Sequence, residues 1–419
     1  MDIQRLFFIG FLTLSTIVGH AQKYVGGDIS MLPKYEQAGS LYLNHDGNAI
    51  PDVLTFLREE GWNALRVRLF VNPDNATTAE KGEGVCQNLD YVKALGKRIK
   101  EAGFSFLLDF HYSDTWADPA KQWTPGDWLT LNETALYDKI YDYTKEVLRA
   151  LKAYGAAPDL IQIGNEISYG MLWGTRGAAT YRCYTNSTAN WQRFTTLLGN
   201  ASRACREVCP AAKVIVHTER VADTAVLKGF YEKMDEYQMD YDIIGISYYP
   251  YYHGKLEQLE NALTVLENNF HKDIMIVETG YPAHWPVNGT TVDYSTTYPY
   301  SDAGQRAFTD ALVAKLNRHE KVKGLFWWWP EANEYGNTSS QVTTNWYNAT
   351  LFNNETGKAY SALSAMKDFL VSTGINAVTT HRKHDDARWY NLMGQEVGSS
   401  GMPGIYIHRG RKVVRNYTK

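Results

Sequence analysis

Leu160-Ile161-Gln162-Ile163-Gly164-Asn165-Glu166 is a short apolar run that ends abruptly in an amide and a carboxylate. A second run of the same kind, Ile274-Met275-Ile276-Val277-Glu278-Thr279-Gly280, also ends in a glutamate. Short runs rich in β-branched residues predict strands that are buried on both faces, as in a parallel sheet. A glutamate at the carboxyl end of such a strand stands where barrel enzymes hold their catalytic groups.

Further runs of this kind alternate with amphipathic stretches along the chain. Repeated units of strand followed by helix predict a (β/α)8 TIM barrel, an α/β fold with a closed parallel sheet. An open, doubly wound sheet is the alternative, but it favours a G-x-G-x-x-G turn that Gly26-Gly27 does not match. The predicted strands are residues 24–31, 64–71, 105–110, 160–164, 213–217, 243–247, 274–277 and 324–328, with helical patterns over 89–102, 133–154, 191–208, 256–269 and 303–319.

The predicted loops differ in length between the two ends of the barrel. Those that follow strands three, four, seven and eight are long and rich in Trp, Tyr, Asp and Pro, whereas those that lead into strands are short. Long loops at the carboxyl ends of the strands indicate the functional face. The long loops are residues 112–127, 168–191, 281–302 and 330–346.

Composition narrows the class of ligand. A net charge of −4 over 419 residues is too weak to favour nucleic acid or a membrane surface as a partner. The 12 Trp and 29 Tyr exceed the needs of a core and suggest flat platforms for flat ligands such as sugars, although core filling is the alternative for any single Trp.

The two ends of the chain differ in character from its middle. Residues 1–21 combine an early Arg, an apolar run and the small-residue site Gly19-His20-Ala21, which predicts a secretory signal peptide and a protein secreted to the periplasm or cell surface. The apolar run is too short for a permanent membrane span. We therefore expect a signal peptide (1–21), a catalytic barrel (22–372), and a linker with a small β-rich tail (373–419).

The cysteines leave two readings open. Cys86, Cys183, Cys205 and Cys209 permit up to two disulfide bridges in an oxidising compartment. A zinc site is disfavoured because no second close pair accompanies Cys205 and Cys209. We predict no metal ligands from this set.

The two glutamates predict a reaction class. Glutamates that end strands four and seven face each other across the barrel mouth, and a pair about 5 to 5.5 Å apart performs retaining glycoside hydrolysis. Asn165 is expected to bind a sugar hydroxyl beside the reacting carbon, which makes Glu166 the acid/base and Glu278 the nucleophile. Arg66 and Arg68 point the same way by strand periodicity. Arg68, nearer the carboxyl end, is expected to supply positive charge near the nucleophile, although an ion-pair network at the barrel bottom is the alternative for both.

Other polar and aromatic residues fall on the same predicted face. Each of them alone is as compatible with a structural role as with ligand binding, and their common position favours substrate binding. Trp328 belongs to the run Trp327-Trp328-Trp329, of which alternation turns one or two indoles toward the mouth as a sugar platform. The candidates are Asp28, His111, Asp114, His217, Tyr248, Tyr249 and Trp328.

Several motifs together resemble glycoside hydrolase family 53, the arabinogalactan endo-β-1,4-galactanases. The resemblance spans residues 24–370 and includes the segment 109–119, of which 111–119 (HYSDTWADP) is distinctive. It implies endo-cleavage of the polysaccharide β-1,4-galactan, the pectic side chain, with Trp116 among the binding residues. Tyr252, where a Trp is expected, and the segment 329–333 depart from the family pattern and concern outer subsites. The other matching segments are 26–30, 65–73, 164–167, 245–250 and 277–282.

Cofactors and competing functions complete the expectations. Some bacterial family members carry a structural calcium, but no acidic loop here has suitable spacing, so no cofactor is expected. We expect a monomer. A retaining endo-glycanase of the same clan that acts on mannan or xylan is the alternative enzyme. A non-catalytic carbohydrate-binding barrel would lack one of the two carboxylates, and both are present.

Overall fold

The computed structural model describes residues 22–183, 188–337, 340, 348–371, 389–391, 396–397, 404–408 and 411–415. The chain divides into two compact units, Met1–Ser372 and Thr373–Lys419. The expected signal peptide at 1–21 lies outside the described residues. No helix in the described part of the chain is both long and apolar enough to cross a membrane.

The first unit is a closed barrel of eight parallel strands, so the predicted (β/α)8 fold is confirmed. Each strand pairs with its neighbours in chain order, and the last pairs with the first. Every predicted strand is present, with ends that differ by a few residues. The strands are β1 Tyr24–Asp28, β2 Ala64–Leu69, β3 Ser105–Phe110, β4 Leu160–Ile163, β5 Lys213–Thr218, β6 Ile243–Tyr248, β7 Asp273–Thr279 and β8 Val322–Trp328.

Helices connect the strands, and most begin at a side chain that accepts a hydrogen bond from the first turn. Asn88, Asn132 and Ser301 fulfil this role for three long helices, satisfying N–H groups that have no partner within the helix. The helices are α1 Leu32–Ala38, α2 Val53–Glu59, α3 Thr78–Gly82, α4 Leu89–Glu101, α5 Glu133–Tyr154, α6 Thr188–Val208, α7 Thr224–Glu236, α8 Pro250–His253, α9 Leu256–Asn269, α10 Asp302–Leu316 and α11 Ser361–Ala365. Short 3₁₀ helices span Pro73–Asn75, Gly126–Trp128, Arg220–Ala222 and Met366–Phe369.

The barrel interior is layered by polarity. One layer is apolar and buried, and side chains two positions further along several strands are polar, because alternate residues of a strand point to the same face. The sequence therefore closes the barrel with hydrocarbon and places charge and hydrogen-bonding groups toward the carboxyl ends. The apolar layer is Ala64, Leu107, Leu160, Ile215, Ile243, Met275, Val277 and Phe326. The polar positions are Arg66, Asp109, Gln162 and His217.

All four cysteines are free thiols. Cys183, Cys205 and Cys209 are buried, and Cys86 is partly buried. The disulfide bridges that the even count permits are not formed.

The second unit is a small antiparallel sheet. Its strands are β9 Trp389–Tyr390, β10 Glu396–Val397, β11 Gly404–His408 and β12 Arg411–Arg415, in the order β10-β9-β11-β12. β11 and β12 pair along their whole length.

Gly26 of β1 makes a tight contact with β2, and a substitution there tests how closely the two strands pack. A Cβ on Gly26 would lie 1.7 Å from the carbonyl oxygen of Ala64. We expect Gly26→Ala to lower the free energy of unfolding by about 3 kcal/mol or more, because the overlap is with backbone, which has little room to relax. Urea unfolding followed by circular dichroism measures this.

The matched control is Gly199→Ala in α6, where an added Cβ meets nothing within 4 Å. It is expected to stabilise the protein by up to about 1 kcal/mol through helix propensity. Equal effects of the two substitutions would contradict the tight β1–β2 contact.

Candidate active site

The carboxyl ends of the strands open into a cavity of about 610 Å³. Glu166 and Glu278 both line it, as do Asn165, Tyr249 and Trp328. The cavity lies on the face that the long loops predicted. The barrel thus brings the two glutamates, distant in sequence, to a single site.

Glu166 is presented by a sharp turn at the end of β4. Gly164 has φ +109° and Glu166 itself has φ +49°, a left-handed conformation that is uncommon for a residue with a side chain. The Glu166 N–H donates to His217 Nδ1 at 3.2 Å, and the next N–H, of Ile167, donates to the His217 carbonyl at 3.0 Å. Backbone strain held by such bonds is typical of functional sites.

Burial raises the pKa of Glu166 well above its ordinary value, and the nearby carboxyls of Glu278 and Glu219 raise it further. Glu166 is only partly exposed within the cavity. Its carboxyl group is therefore suited to hold a proton at neutral pH, which a general acid requires.

Glu278 lies within β7 and is held by three donors. Oε1 accepts from Arg66 Nη2 at 2.8 Å, and Oε2 accepts from Tyr249 Oη at 2.9 Å and Ser247 Oγ at 3.3 Å. Burial raises the pKa of Glu278 to about 7, while Arg66 opposes that rise. The guanidinium therefore favours the ionised form of Glu278. The main influences on the pKa of Glu166 are instead burial and neighbouring carboxyls.

Arg66 is the centre of a buried charge network. Its side chain is fully buried, with Nη1 2.9 Å from Asp28 Oδ2 and Nη2 2.8 Å from Asp109 Oδ2. Nη2 also donates to Asn165 Oδ1 at 2.9 Å. One guanidinium therefore fixes the nucleophile candidate, Glu278, and the amide that precedes the acid candidate.

The expectation that Arg68 supplies the charge near Glu278 is wrong, because Arg66 makes that contact. Arg68 Nη1 instead lies 3.1 Å from Asp28 Oδ1, and its guanidinium stacks 4.6 Å from the ring centre of Trp116. It also lies under Trp328 and Trp329. Arg68 therefore supports the aromatic wall of the cavity. The alternative of a network at the barrel bottom is also wrong, since the charges lie beside the cavity.

His217 is a neutral support for both glutamates. Because a backbone N–H can only donate, Nδ1 accepts from Glu166, and the ring proton is on Nε2. Nε2 then donates to Ser247 Oγ at 2.8 Å, whose hydroxyl donates to Glu278. Burial, and then the charge of Arg66, lowers the pKa of His217 well below its ordinary value.

The structure brings some predicted binding residues to the cavity and places others behind it. Trp116, Asn165, Tyr249 and Trp328 line the cavity, whereas six others are buried and do not line it. We assign these six to the support of the site: Asp28, Arg68, His111, Asp114, His217 and Tyr248.

Three of these supporting residues bind backbone groups. His111 Nδ1 accepts from the Ala117 N–H at 3.0 Å. Asp114 binds the N–H of Asn72 at 3.1 Å and that of Gly126 at 2.9 Å, which joins two loops. Tyr248 donates its hydroxyl to a backbone carbonyl at 3.0 Å. Each of these hydrogen bonds joins a side chain to the backbone of the site.

Sequence analysis missed several contributors to the site. Gln162 Nε2 donates to Asp109 Oδ1 at 2.5 Å and to Asn165 Oδ1 at 3.1 Å, and Ser247 joins His217 to Glu278. The period of two along the strands would have found Gln162 and Asp109, because each lies two positions after a residue of the apolar layer.

No group of three or more His, Cys, Asp or Glu side chains with metal-binding geometry occurs in the described part of the chain. The expectation of no cofactor stays a prediction.

The chain is similar to known proteins in both sequence and structure. Residues 24–366 match the sequence model described as Glycosyl hydrolase family 53. The arabinogalactan endo-β-1,4-galactanase of Thermothelomyces thermophilus is 32% identical over 360 residues, which are 83% of this chain and 99% of that protein. The solved Ignisphaera aggregans GH53 catalytic domain has a TM-score of 0.73 at 30% identity, covering 83% of this chain and 96% of its own. A structure of fungal β-1,4-galactanases has a TM-score of 0.68 at 30% identity, covering 83% and 99%.

The charge network predicts a large loss of stability when the Arg66 guanidinium is removed. Arg66→Met leaves Asp28, Asp109 and Glu278 buried without their common partner. We expect the free energy of unfolding at pH 7 to fall by about 3 to 5 kcal/mol, measured by urea unfolding.

Arg306→Met is the matched control, because Arg306 pairs with Asp310 at the surface. It is expected to change stability by no more than about 1 kcal/mol. A loss for Arg66→Met as small as that of the control would contradict the role assigned to Arg66.

Proposed function

The chain belongs to glycosyl hydrolase family 53, and on this premise we propose that it cleaves internal linkages of β-1,4-galactan, the side chain of pectic type I arabinogalactan. The protein is a glycoside hydrolase by family. The observation that supports its substrate is the pair Glu166 and Glu278 in one cavity, in a chain 32% identical to a named galactanase.

The proposed reaction is a double displacement that retains the anomeric configuration. Ionised Glu278 attacks the anomeric carbon as Glu166 gives its proton to the leaving oxygen, which forms a galactosyl ester and a free sugar end. Glu166, now ionised, takes a proton from water, and the resulting oxygen attacks the same carbon and releases Glu278. Each glutamate returns to its starting state.

The contacts of the two carboxyls support this division of roles. Glu278 accepts from Arg66 and Tyr249, which stabilise its anion, while Glu166 lies beside other carboxyls that favour its protonated form. Burial raises the pKa of both carboxyls, but Arg66 opposes the rise at Glu278, whereas Glu278 and Glu219 add to it at Glu166. Such a difference between two carboxyls provides both a nucleophile and an acid at one pH.

Aromatic side chains supply the proposed sugar platform. Trp116, Trp328 and Trp329 line one end of the cavity and contact one another, with ring centres 6.0 to 6.4 Å apart. Flat apolar rings suit the apolar face of a galactose ring. Tyr252, at the other end, also lines the cavity.

We also propose that the protein is exported and acts on pectin outside the cytoplasm. The support is the leader pattern of residues 1–21. A polymeric substrate agrees with such a location. N-terminal sequencing of the secreted protein tests the proposal, with a start near Gln22 or Lys23 as the expected result.

The substrate assignment is tested with purified polymers. Linear β-1,4-galactan, β-1,4-mannan and β-1,4-xylan are incubated separately with the protein, and the products are followed over time by chromatography. We expect mid-length oligosaccharides to appear early from galactan alone. Preferential release from mannan or xylan would replace the galactan assignment with the alternative, and a single short product from the outset would contradict endo-cleavage.

The roles of the glutamates are tested by chemical rescue. We expect Glu278→Ala and Glu166→Ala each to lose about 10²-fold to 10⁴-fold in turnover of galactan while staying folded. With azide and an aryl β-1,4-galactobioside, Glu278→Ala should give the α-azide, because azide replaces the nucleophile in one inversion. Glu166→Ala should give the β-azide, because azide replaces water in the second step.

The anomer of each azide is read by nuclear magnetic resonance, with wild-type protein as the control for hydrolysis. The same anomer from both variants, or wild-type activity in either, would contradict the assigned roles.

A further inference from the structure

A third carboxyl group, which the proposed reaction does not use, lines the same cavity. Glu219 follows directly after β5 and is 6% exposed. Its carboxyl group is one of the main influences on the pKa of Glu166. Glu219 is therefore buried within the site and close to the proposed acid.

The two oxygens of the Glu219 carboxyl differ in their side-chain partners among the described residues. Oε1 accepts from Ser168 Oγ at 2.5 Å and lies 3.5 Å from Arg220 Nε. Oε2 is buried and has no hydrogen-bond partner among the described residues. A buried polar atom without a partner is costly, and Glu219 lines the cavity, so a ligand that reached this oxygen would supply the missing partner.

The cavity has two chemically different ends. The indoles of Trp116, Trp328 and Trp329 gather over Arg68 of β2 and form one end. The other end is built from the segments that follow β5 and β6, which lie across the closed barrel from β1 and β2. Arg220, Tyr252 and His253 belong to that second end together with Glu219.

The two ends suit different parts of the substrate. Trp328 is near Arg66, with 5.6 Å from its ring centre to the guanidinium carbon, and Arg66 binds Glu278. The sugar that Glu278 attacks therefore rests at the aromatic end. The leaving sugar must then extend past the acid, Glu166, toward β5, the strand that pairs with β4.

We propose that Glu219 binds a hydroxyl group of the leaving sugar through Oε2 and thereby helps to select the residue bound beside the cleaved linkage. This inference rests on the proposed function. Ser168 orients the carboxyl, so the free oxygen is fixed before substrate binds.

The protonation of Glu219 agrees with that role. Burial is the main reason that the pKa of Glu219 rises, to about 8, and the carboxyls of Asp118 and Glu278 contribute in the same direction. At neutral pH the group is therefore mostly a neutral acid, which can donate from Oε2 to a sugar oxygen while Oε1 accepts from Ser168.

The experiment compares two substrates that differ at the leaving group. β-1,4-Galactotetraose places a sugar beside Glu219, whereas an aryl β-1,4-galactobioside places an aromatic ring there. We expect Glu219→Ala and the space-filling Glu219→Met to lower kcat/KM for the tetraose by about tenfold. For the aryl substrate we expect a change of less than about threefold, because no sugar hydroxyl is lost there.

Two further variants separate binding from structure. Glu219→Gln keeps the shape and offers an N–H in place of the O–H, so it should recover most of the activity on the tetraose. Glu146→Gln, at an exposed site on α5, should leave both substrates unchanged. Melting temperatures identify any variant that fails to fold. If Glu219→Ala does not fold, Glu219→Met takes its place in the comparison.

The outcomes separate this inference from the function on which it rests. Equal losses on both substrates, or no loss on the tetraose, would overturn the role of Glu219 and leave the galactanase proposal standing. A wild-type protein inert toward both galactose substrates would overturn the two together.

Discussion

The site depends on one buried cation. The guanidinium of Arg66 lies among Asp28, Asp109 and Glu278, fully out of water. Burial alone would raise the pKa of Asp109, yet Arg66 and His111 outweigh it, and that pKa lies below its ordinary value. A buried charge is tolerated only when paired, so the network is an all-or-none arrangement that ties strands β1, β2, β3 and β7 to one geometry.

The difference between the two glutamates follows from that arrangement. Glu278 accepts a hydrogen bond directly from the cation, whereas the main influences on the pKa of Glu166 are burial and the carboxyls of Glu278 and Glu219. The same fold element, a carboxyl at the end of a barrel strand, thus meets a cation in one case and other carboxyls in the other. Environment, and not residue type, separates their chemistry.

The layered barrel explains how the protein tolerates many buried polar side chains at the carboxyl ends of its strands. An apolar layer that includes Leu107, Leu160 and Ile215 supplies burial, and the polar side chains two positions further on face the site. Stability and reactivity are therefore divided along each strand. The cavity is likewise divided into an apolar and a polar end. Indoles form the apolar end, and Glu219 and Arg220 belong to the polar end.

The sequence alone determined the fold class and the position of the two glutamates at the carboxyl ends of their strands, because strand period and the residue at a strand end are local properties of the chain. It predicted the wrong member of the pair Arg66 and Arg68, which share a face, since the answer depends on how far each lies from Glu278 across the barrel. It also could not choose between Tyr248 and Tyr249. The register between β6 and β7 shifts at Ile246 and Ser247, and such a shift changes which side chains reach the mouth. Contacts between strands that are distant in the chain exist only after closure, and they decided which predicted residues face the cavity and which support it from behind.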